Sequence, residues 1–434
     1  MHRLTASAAS PAQATAIELV VLTTPLNTRY TMQFKNLSLA ALAAALVSAQ
    51  NDTSMMNLTA LIAGNSNLTG LATLLSSYPD AAAGLANATN ITLFAPNNQA
   101  VQAAQSVLGS AQGNVNDLVT ALLSYHVLQG TVFAENITET PAFPSTTLNN
   151  TQYSNVTGGQ VVEARLRDGN AQIISGLKHA SNVTEANLAF SGGVVHVIDN
   201  ILQIPGSFSS VAQNANLTAL LGAVNTTNLT STLDGASDIT IFAPSNSAFQ
   251  AIGSAAANLT AEQATAILTY HVINGTIAYS SSLSNASIPT LGGGNVTVTI
   301  DNGTVFINSA RVVNPDILFA GGVIHIIDSV LNPMNNATGN DTQSEPATAF
   351  SGATSFTVVP FTSGVPTPTT TIVDLVTSTT QVAVSYTSVV PAGGSAAATG
   401  GVEGSSSSSA GAAMQTGAVG AAALFGGAAL LANL

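Results

Sequence analysis

Histidine is the residue type in this chain best suited to acid–base or metal chemistry, because the sequence contains no cysteine. Two of its six histidines precede an aspartate by three residues: His196 precedes Asp199, and His325 precedes Asp328. Such a pair suggests a general base oriented by a carboxylate. Both pairs lie in segments with strand-like alternation, however, and an odd spacing places their side chains on opposite faces. This spacing excludes the simplest catalytic dyad.

Two further histidines directly follow tyrosine, in Tyr125-His126 and Tyr270-His271. Each pair stands where a helical pattern gives way to a strand, so we interpret these side chains as hydrogen-bonding to buried backbone. Binding of a ligand or a metal is the alternative for this motif. The sequence contains no Gly-X-Ser-X-Gly elbow, no His-Glu-X-X-His helix and no phosphate-binding loop. We therefore predict no catalytic residue, no metal site and no cofactor.

The composition narrows the class of protein. Only 6% of the residues are charged while 46% are hydrophobic, and the formal net charge is −13 with 7 Lys and Arg residues. So few basic residues cannot neutralise phosphates, which excludes nucleic acid as a partner. A surface this poor in charge must be hydrated by amides, hydroxyls or groups attached to them.

N-glycosylation sequons are the most abundant motif. Nineteen Asn-X-Ser/Thr triplets follow residue 50, which favours a secreted glycoprotein over a chance abundance of Asn and Thr. Glycans would supply the hydration that the missing charges do not. We take fourteen of these asparagines as glycosylation candidates: Asn57, Asn67, Asn87, Asn90, Asn136, Asn155, Asn182, Asn216, Asn228, Asn258, Asn274, Asn285, Asn295 and Asn302.

The N-terminal region predicts a signal peptide at residues 32–49. Lys35 is followed by an apolar stretch and then by the small residues Val47-Ser48-Ala49, which is typical of a cleavage site. A short buried helix is the alternative. Because this pattern begins at Met32, we interpret residues 1–31 as a gene-model extension.

The C-terminal region predicts a stalk and an anchor signal. Residues 337–410 are rich in Ser, Thr, Pro, Gly and Ala, a composition that suits an O-glycosylated stalk without packed structure. Residues 411–434 form an uncharged tail that follows small residues, as in a glycosylphosphatidylinositol (GPI) anchor signal. A transmembrane helix would be more strongly apolar and flanked by basic residues. The candidate attachment residues are Ser407, Ser408, Ser409 and Gly411.

Most of the remaining chain is a tandem repeat. Three landmarks occur twice in the same order, but the stretch between the second and third is 16 residues longer in the first copy. We call the copies domain 1 (residues 55–203) and domain 2 (residues 206–333). The paired landmarks are Ile91–Ala100 with Ile239–Ala248, Leu122–Val132 with Ile267–Ile277, and Gly192–Leu202 with Gly321–Leu331.

Each landmark predicts a local structure. The first is a strand ended by proline, Pro96 or Pro244, and Ser245 is a candidate cap of the helix that follows. Helical spacing precedes each Tyr-His pair, and a Gly-Gly turn opens the strand of the third landmark. Between the second and third landmarks, Asp301-Asn302-Gly303 predicts a hairpin. The pattern predicts an α+β domain that occurs twice.

These three landmarks, in this order and spacing, resemble the fasciclin domain family. The resemblance implies a wedge-shaped β-sandwich with helices packed to one side, in secreted or surface-anchored proteins that mediate adhesion or matrix contact. Two positions depart from the family pattern. The usual Phe after the first landmark is Phe249 in domain 2 but Val101 in domain 1, and the frequent acidic residue is Asn98 or Asn246. These departures predict local repacking within the same fold.

One segment of domain 2 predicts a recognition site. Asp316-Ile317 is similar to the Asp-Ile motif that animal fasciclin-domain proteins use towards integrins, whereas domain 1 has Asn187 in the equivalent stretch. An exposed carboxylate beside an apolar residue suits partner binding. The alternative is an ordinary loop that leads into a strand.

The sequence thus favours a non-catalytic adhesion or wall and matrix glycoprotein. The expected partner is a surface or matrix protein or a polysaccharide, with membrane attachment through the GPI anchor. A small-molecule or lipid carrier and a structural wall glycoprotein without a specific partner are the alternatives. Because domain 2 alone keeps Phe249 and Asp316-Ile317, it is the copy expected to carry recognition.

Overall fold

The computed structural model describes residues 55–108, 115–340, 342 and 349–366. All of them belong to one compact unit, Met55–Leu434, and the other unit, Met1–Ser54, lies outside the described residues. The predicted signal peptide, the extension before it and the GPI attachment residues also fall outside the described residues.

Domain 1 has its first helices before its first strand, as the repeat pattern predicts. Its helices are α1 (Leu58–Gly64), α2 (Thr69–Ser77), α3 (Pro79–Ala86), α4 (Asn98–Leu108) and α5 (Val115–Tyr125). Its strands are β1 (Ile91–Pro96), β2 (Val127–Gln129), β3 (Glu163–Arg167), β4 (Asn170–Ile174), β5 (Ala180–Phe190) and β6 (Gly193–Ile198).

Domain 2 repeats this order with one more helix and one more strand in the described residues. Its helices are α6 (Phe208–Asn214), α7 (Thr218–Thr226), α8 (Thr230–Asp234), α9 (Asn246–Ala251), α10 (Gly253–Ala256) and α11 (Ala261–Tyr270). Its strands are β7 (Ile239–Pro244), β8 (Val272–Ile273), β9 (Ala286–Pro289), β10 (Asn295–Asp301), β11 (Thr304–Ile307), β12 (Ala310–Phe319) and β13 (Gly322–Ile327).

Each domain has a mixed sheet with one parallel strand pair. The strand orders are β2-β1-β6-β5-β4-β3 and β8-β7-β13-β12-β11-β10-β9. The parallel pairs are β1 with β6 and β7 with β13, so Phe94 lies beside His196 and Phe242 beside His325. Gly193 and Gly322 have positive φ, and a Cβ at either would collide with the carbonyl of the neighbouring strand. Glycine at this turn therefore allows the backbones of the two parallel strands to lie close together.

Two large apolar cores lie within each domain. In domain 1, helices α1 to α3 pack with β1 and β6 around Leu71 and Val195, whereas Tyr125 and Ile173 belong to a second core that includes residues of β3 and β4. Domain 2 is divided in the same way. Register shifts in β5 and β12 allow these long strands to contribute to both cores. This arrangement confirms the predicted α+β fold class.

Several local predictions are confirmed. Ser245 caps helix α9, because its side chain accepts a hydrogen bond from Ala248 N at 3.2 Å. The hairpin between β10 and β11 turns at Asn302 and Gly303, which both have positive φ. At the departure from the family pattern, Asn246 accepts from Ala219 N at 3.0 Å and donates to Asn216 O at 2.8 Å. An aspartate could not make the second of these bonds.

Part of the predicted stalk is packed. Residues 349–366, which we call the C-terminal strap, lie against α9 and α10 of domain 2. Phe356 N donates to Gln250 O at 3.0 Å, and Phe361 meets Phe249 edge to face at 6.0 Å. The expectation of a stalk without packed structure from residue 337 onward is therefore wrong for this segment. Its few apolar side chains suffice because domain 2 offers them an apolar surface.

Among the described residues, no single helix has the length and hydropathy to cross a membrane, although helix α1 together with residues 66–77 passes that test as a pair bent by 97°.

Candidate functional site

His126 and His271 occupy the same position in the two domains and make the same two hydrogen bonds. The Nδ1 atom lies 2.7 Å from a carbonyl of the preceding helix turn, that of Leu122 or Ile267. The Nε2 atom accepts from a backbone N–H at 2.9 Å, that of Leu202 or Leu331. Because Nε2 accepts, Nδ1 must donate, so each ring is neutral with its proton on Nδ1. Each histidine joins a helix end to the segment after the last strand.

Burial holds these two rings in the neutral form. It lowers the pKa of His126 and of His271 to about 4, and the hydrogen bond to the helix carbonyl opposes the shift only in part. A ring whose two nitrogens are both bonded to backbone has no free atom for a proton transfer or a metal. Neither histidine is available for catalysis in this structure.

The tyrosine before each of these histidines is also bonded to backbone. Tyr125 Oη donates to Val161 O at 2.9 Å, and Tyr270 Oη donates to Asn295 O at 2.7 Å. Burial raises the pKa of Tyr125 well above its ordinary value, which keeps the hydroxyl protonated as a donor. The tyrosine thus joins the end of α5 to the segment before β3, and the end of α11 to the start of β10.

His196 and His325 form the second matched pair. Nε2 lies 2.8 Å from a carbonyl oxygen, that of Val132 or Ala278. Nδ1 accepts from the N–H of Asn187 or Asp316 at 3.3 Å. The pKa of each ring is lowered, chiefly by burial. As with the Tyr-His motif, both nitrogens are used by the backbone.

The aspartates three residues further on do not orient these rings. Asp199 accepts from Asn182 N at 2.7 Å, and Asp328 accepts from Arg311 N at 2.9 Å. Both follow their strands and fasten the sheet. In the part of the chain that the structure describes, no cluster of three His, Asp or Glu residues is arranged to hold a metal ion.

An apolar crevice lies between helices α7, α8 and α11 of domain 2. Phe208, Leu220, Leu268 and Val272 are among its lining residues, and its volume is about 20 Å³. That volume accommodates about one water molecule, whereas sites for drug-sized ligands measure roughly 300–1,000 Å³. The crevice has no space for a lipid or a cofactor.

The predicted recognition pair is buried. Asp316 is 2% exposed and Ile317 is 0% exposed. The Asp316 carboxylate accepts from Ser280 N at 2.8 Å and from Ser280 Oγ, and Ile317 belongs to the helix-side core of domain 2. The expectation of an exposed recognition pair is therefore wrong for this arrangement, because β12 turns both side chains inward.

Domain 1 covers this face of domain 2. The rings of Phe143 and Tyr279 stack with centroids 4.1 Å apart and planes 8° apart. Val161 packs with Leu318 and Val323 in one apolar cluster. Burial, followed by the charges of Asp316 and Asp238, raises the pKa of Tyr279. We call this contact the interdomain face.

The equivalent face of domain 1 is open among the described residues. Phe133 stands where domain 2 has Tyr279 and is 39% exposed. Asn187 stands where domain 2 has Asp316, has the same φ of 60°, and is exposed. Asn187 also accepts from Ala134 N at 2.9 Å, as Asp316 does from Ser280 N. The same pair of positions therefore takes part in the interdomain contact in domain 2, whereas in domain 1 it faces solvent.

The sequence analysis did not identify residues 143–161 of domain 1 as a contact with domain 2, although the greater length of this stretch was a signal for it. Phe143, Asn155 and Gln160 all lie between the second and third landmarks of domain 1, the stretch that exceeds its counterpart by 16 residues. Gln160 Nε2 donates to Phe319 O at 3.1 Å, and Asn155 N donates to Ala320 O at 2.7 Å. The longer stretch thus includes residues that contact domain 2.

The sequon asparagines lie mostly at the surface. Twelve of the fourteen candidates are exposed, and Asn155 and Asn182 are half-buried. Asn182 is bonded within domain 1, since its Nδ2 donates to Asp199 Oδ2 at 2.8 Å. Both domains therefore carry surface acceptors on described residues.

Comparison with known proteins finds one family across both domains. The family model described as "Fasciclin domain" matches residues 66–205 and 215–333. A fasciclin-like arabinogalactan protein of Arthroderma benhamiae is 36% identical over 312 residues, which cover 70% of this chain and 73% of that protein. The fasciclin-like arabinogalactan protein elcF of Phaeosphaeria nodorum is 30% identical over 249 residues, or 56% and 78% of the two chains. Among solved structures, a FAS1 domain pair from the insect cell adhesion molecule Fasciclin I covers 62% of this chain and 98% of that chain, with a TM-score of 0.31 and 18% identity.

Proposed function

The chain belongs to the fasciclin domain family, and from that membership we propose that it is a non-catalytic glycoprotein of the cell surface or cell wall that mediates adhesion. Its partner is a surface or matrix protein or a wall polysaccharide. In this proposal the chain is secreted, loses residues 32–49 as a signal peptide, and is held at the membrane by a GPI anchor near Ser407–Gly411.

The distribution of sequons carries the proposal. Exposed acceptor asparagines occur on both domains of a chain in which only 6% of the residues are charged. Glycans on these positions would hydrate the surface, as expected for a protein that works outside the cell. The name of the Arthroderma benhamiae relative, an arabinogalactan protein, agrees with a glycoprotein of this kind.

The interior of the two domains supports the non-catalytic part of the proposal. The four histidines of the repeated motifs are neutral and bonded to backbone at both nitrogens. A role as a lipid or small-molecule carrier is not favoured, because the crevice of domain 2 measures only about 20 Å³. A wall glycoprotein without a specific partner is the second candidate, and experiment must separate it from an adhesion protein.

Cell aggregation tests the proposal. Deleting residues 50–333 while keeping residues 334–434 should abolish aggregation of cells that depend on this chain. The control replaces residues 50–333 with an unrelated folded domain of similar length, which restores the spacing from the surface but not the fasciclin domains. Aggregation that the unrelated domain restores would favour the structural role, and aggregation unchanged by the deletion would contradict adhesion.

Phospholipase C release tests the anchor separately. The chain should leave intact cells on treatment, and mass spectrometry of the released protein should find its first residue after Ala49. A mature N-terminus upstream of Met32 would contradict the assignment of the signal peptide.

A further inference from the structure

One sequon lies in the contact between the two domains. Asn155 N donates to Ala320 O at 2.7 Å, and Asn155 Nδ2 lies 3.4 Å from Ala236 O. The threonine of the same sequon, Thr157, donates from its backbone N to Asp238 Oδ1 at 2.8 Å and from its hydroxyl to Asp238 Oδ2 at 2.5 Å. Asn155 and Thr157 of this sequon are therefore both bonded to domain 2.

The other thirteen candidates differ in this respect. Twelve have exposed asparagines, and Asn182 is bonded to Asp199 of its own domain. Domain 2 has 16 fewer residues between its second and third landmarks, the stretch that contains Asn155 in domain 1. The sequon at Asn155 therefore lies in the stretch that is longer in domain 1.

A glycan on Asn155 conflicts with this contact. N-glycosylation attaches the first sugar to Nδ2, the atom that lies 3.4 Å from the backbone of Ala236. Val156, the middle residue of the sequon, is buried, and the residues on either side of it are bonded to domain 2, so the segment is held in place at this contact. A bulky polar group at that atom displaces residues 155–157 from domain 2, and with them the bonds to Ala320 and Asp238.

The order of synthesis makes the acceptor accessible. Domains fold as units, the N-terminal one first, so residues 155–157 emerge before the domain 2 residues that cover them. Enzymatic glycosylation of Asn155 therefore competes with docking of the domains. A chain modified at that stage retains the sugar when domain 2 folds.

We propose that Asn155 is a modification site whose occupancy sets the arrangement of the two domains. An unmodified Asn155-Val156-Thr157 holds domain 1 against domain 2, and a glycan on Asn155 separates them while each domain stays folded. Separation exposes Tyr279 and the surroundings of Asp316, so the modification would also uncover the face of domain 2 that domain 1 now covers. Only the secretion of the chain is taken from the function proposed above.

The absence of cysteine allows a test that does not depend on the host cell. The variant Asn155→Cys has one thiol, which can be alkylated with an iodoacetamide derivative of N-acetylglucosamine in denaturant before the chain is refolded. The matched control is Asn67→Cys, an exposed sequon position of domain 1, with the same adduct. Circular dichroism verifies that both variants refold, and small-angle X-ray scattering measures their maximum dimension.

The sugar at residue 155 should increase the maximum dimension and leave the helix and strand content unchanged, whereas the sugar at residue 67 should change neither. An unchanged scattering curve for the residue 155 adduct would overturn the proposal. In chains secreted by a eukaryotic host, glycopeptide mapping should find Asn155 vacant in the compact fraction, and a sugar there would also overturn it. If no sequon of the secreted chain is occupied, the proposed glycoprotein function fails, while the outcome with the adduct stands.

Discussion

Phe143 of domain 1 and Tyr279 of domain 2 stack with their ring centroids 4.1 Å apart, and this contact couples two domains that are otherwise two copies of one fold. The surrounding bonds from Asn155, Thr157 and Gln160 end on domain 2 as well. Coupled in this way, the domains are expected to unfold as one cooperative unit.

Phe143→Ala should separate the unfolding of the two domains. An aromatic pair contributes roughly 0.5–1.5 kcal/mol beyond its buried area, so we expect a total loss of about 2 kcal/mol and a broader denaturant transition with a smaller apparent m value. Circular dichroism during urea titration measures both quantities. Phe133→Ala is the control, since Phe133 is 39% exposed and should cost less than about 0.5 kcal/mol. Equal losses in the two variants would contradict the coupling.

Stability should fall as the pH falls from 6.5 towards 4. His126 and His271 have pKa values of about 4 in the folded chain, against 6.5 for an ordinary histidine, so the unfolded chain binds more protons in this window. Each ring contributes stability that is present above pH 6.5 and amounts to about 3 kcal/mol at most by linkage. Urea titrations at several pH values should show the loss.

The variant His271→Asn tests how much His271 contributes to this pH dependence of stability. The asparagine amide can still donate to Ile267 O but cannot reach Leu331 N, so the variant is less stable at pH 7. Because it has one fewer buried titrating ring while the other buried histidines keep their lowered pKa values, the slope of stability between pH 6.5 and 4 should be smaller than that of the unsubstituted chain. A slope that does not change would show that other groups cause the acid sensitivity.

Asp316→Asn should preserve the fold, whereas Asp316→Ala should not. Domain 1 already has Asn187 at this position, with the same positive φ and a bond to the N–H of Ala134. Asparagine at 316 can accept from Ser280 N in the same way, and we expect a cost of about 1 kcal/mol or less. Alanine leaves the Ser280 donors unpaired and occupies a left-handed conformation, so it should cost about 2–4 kcal/mol. Urea unfolding measures both, and a larger cost for asparagine than for alanine would contradict this role.

The parts of the fold that the sequence predicts are those with local causes. The strand ended by Pro244, the Ser245 cap and the Asn302-Gly303 turn each depend on residues within a few positions of one another. The Tyr-His pairs are likewise predicted to bond to buried backbone because each stands where a helical pattern gives way to a strand.

The covering of Tyr279, Leu318 and Val323 by domain 1 has no local cause. The loop that covers this face comes from residues 143–161, much earlier in the chain, and no periodicity in domain 2 indicates it. The C-terminal strap escapes prediction for a similar reason. Its apolar residues, such as Phe350 and Phe361, are sparse in a polar segment, and the surface that receives them is shaped by the missing side chains of Gly222 and Gly253.

The effect of Gly222→Ala on stability should therefore depend on whether the C-terminal strap is present. A Cβ at residue 222 would lie 1.7 Å from Phe361 O, so the methyl group must displace the strap and should cost about 1–3 kcal/mol in the full chain. A chain that ends at residue 340 lacks the strap atoms that lie nearest to this Cβ, so there alanine within helix α7 should stabilise the fold by up to about 1 kcal/mol. Urea unfolding of the four chains measures the reversal of sign. A stabilising effect in both backgrounds would show that the strap does not rest on this helix.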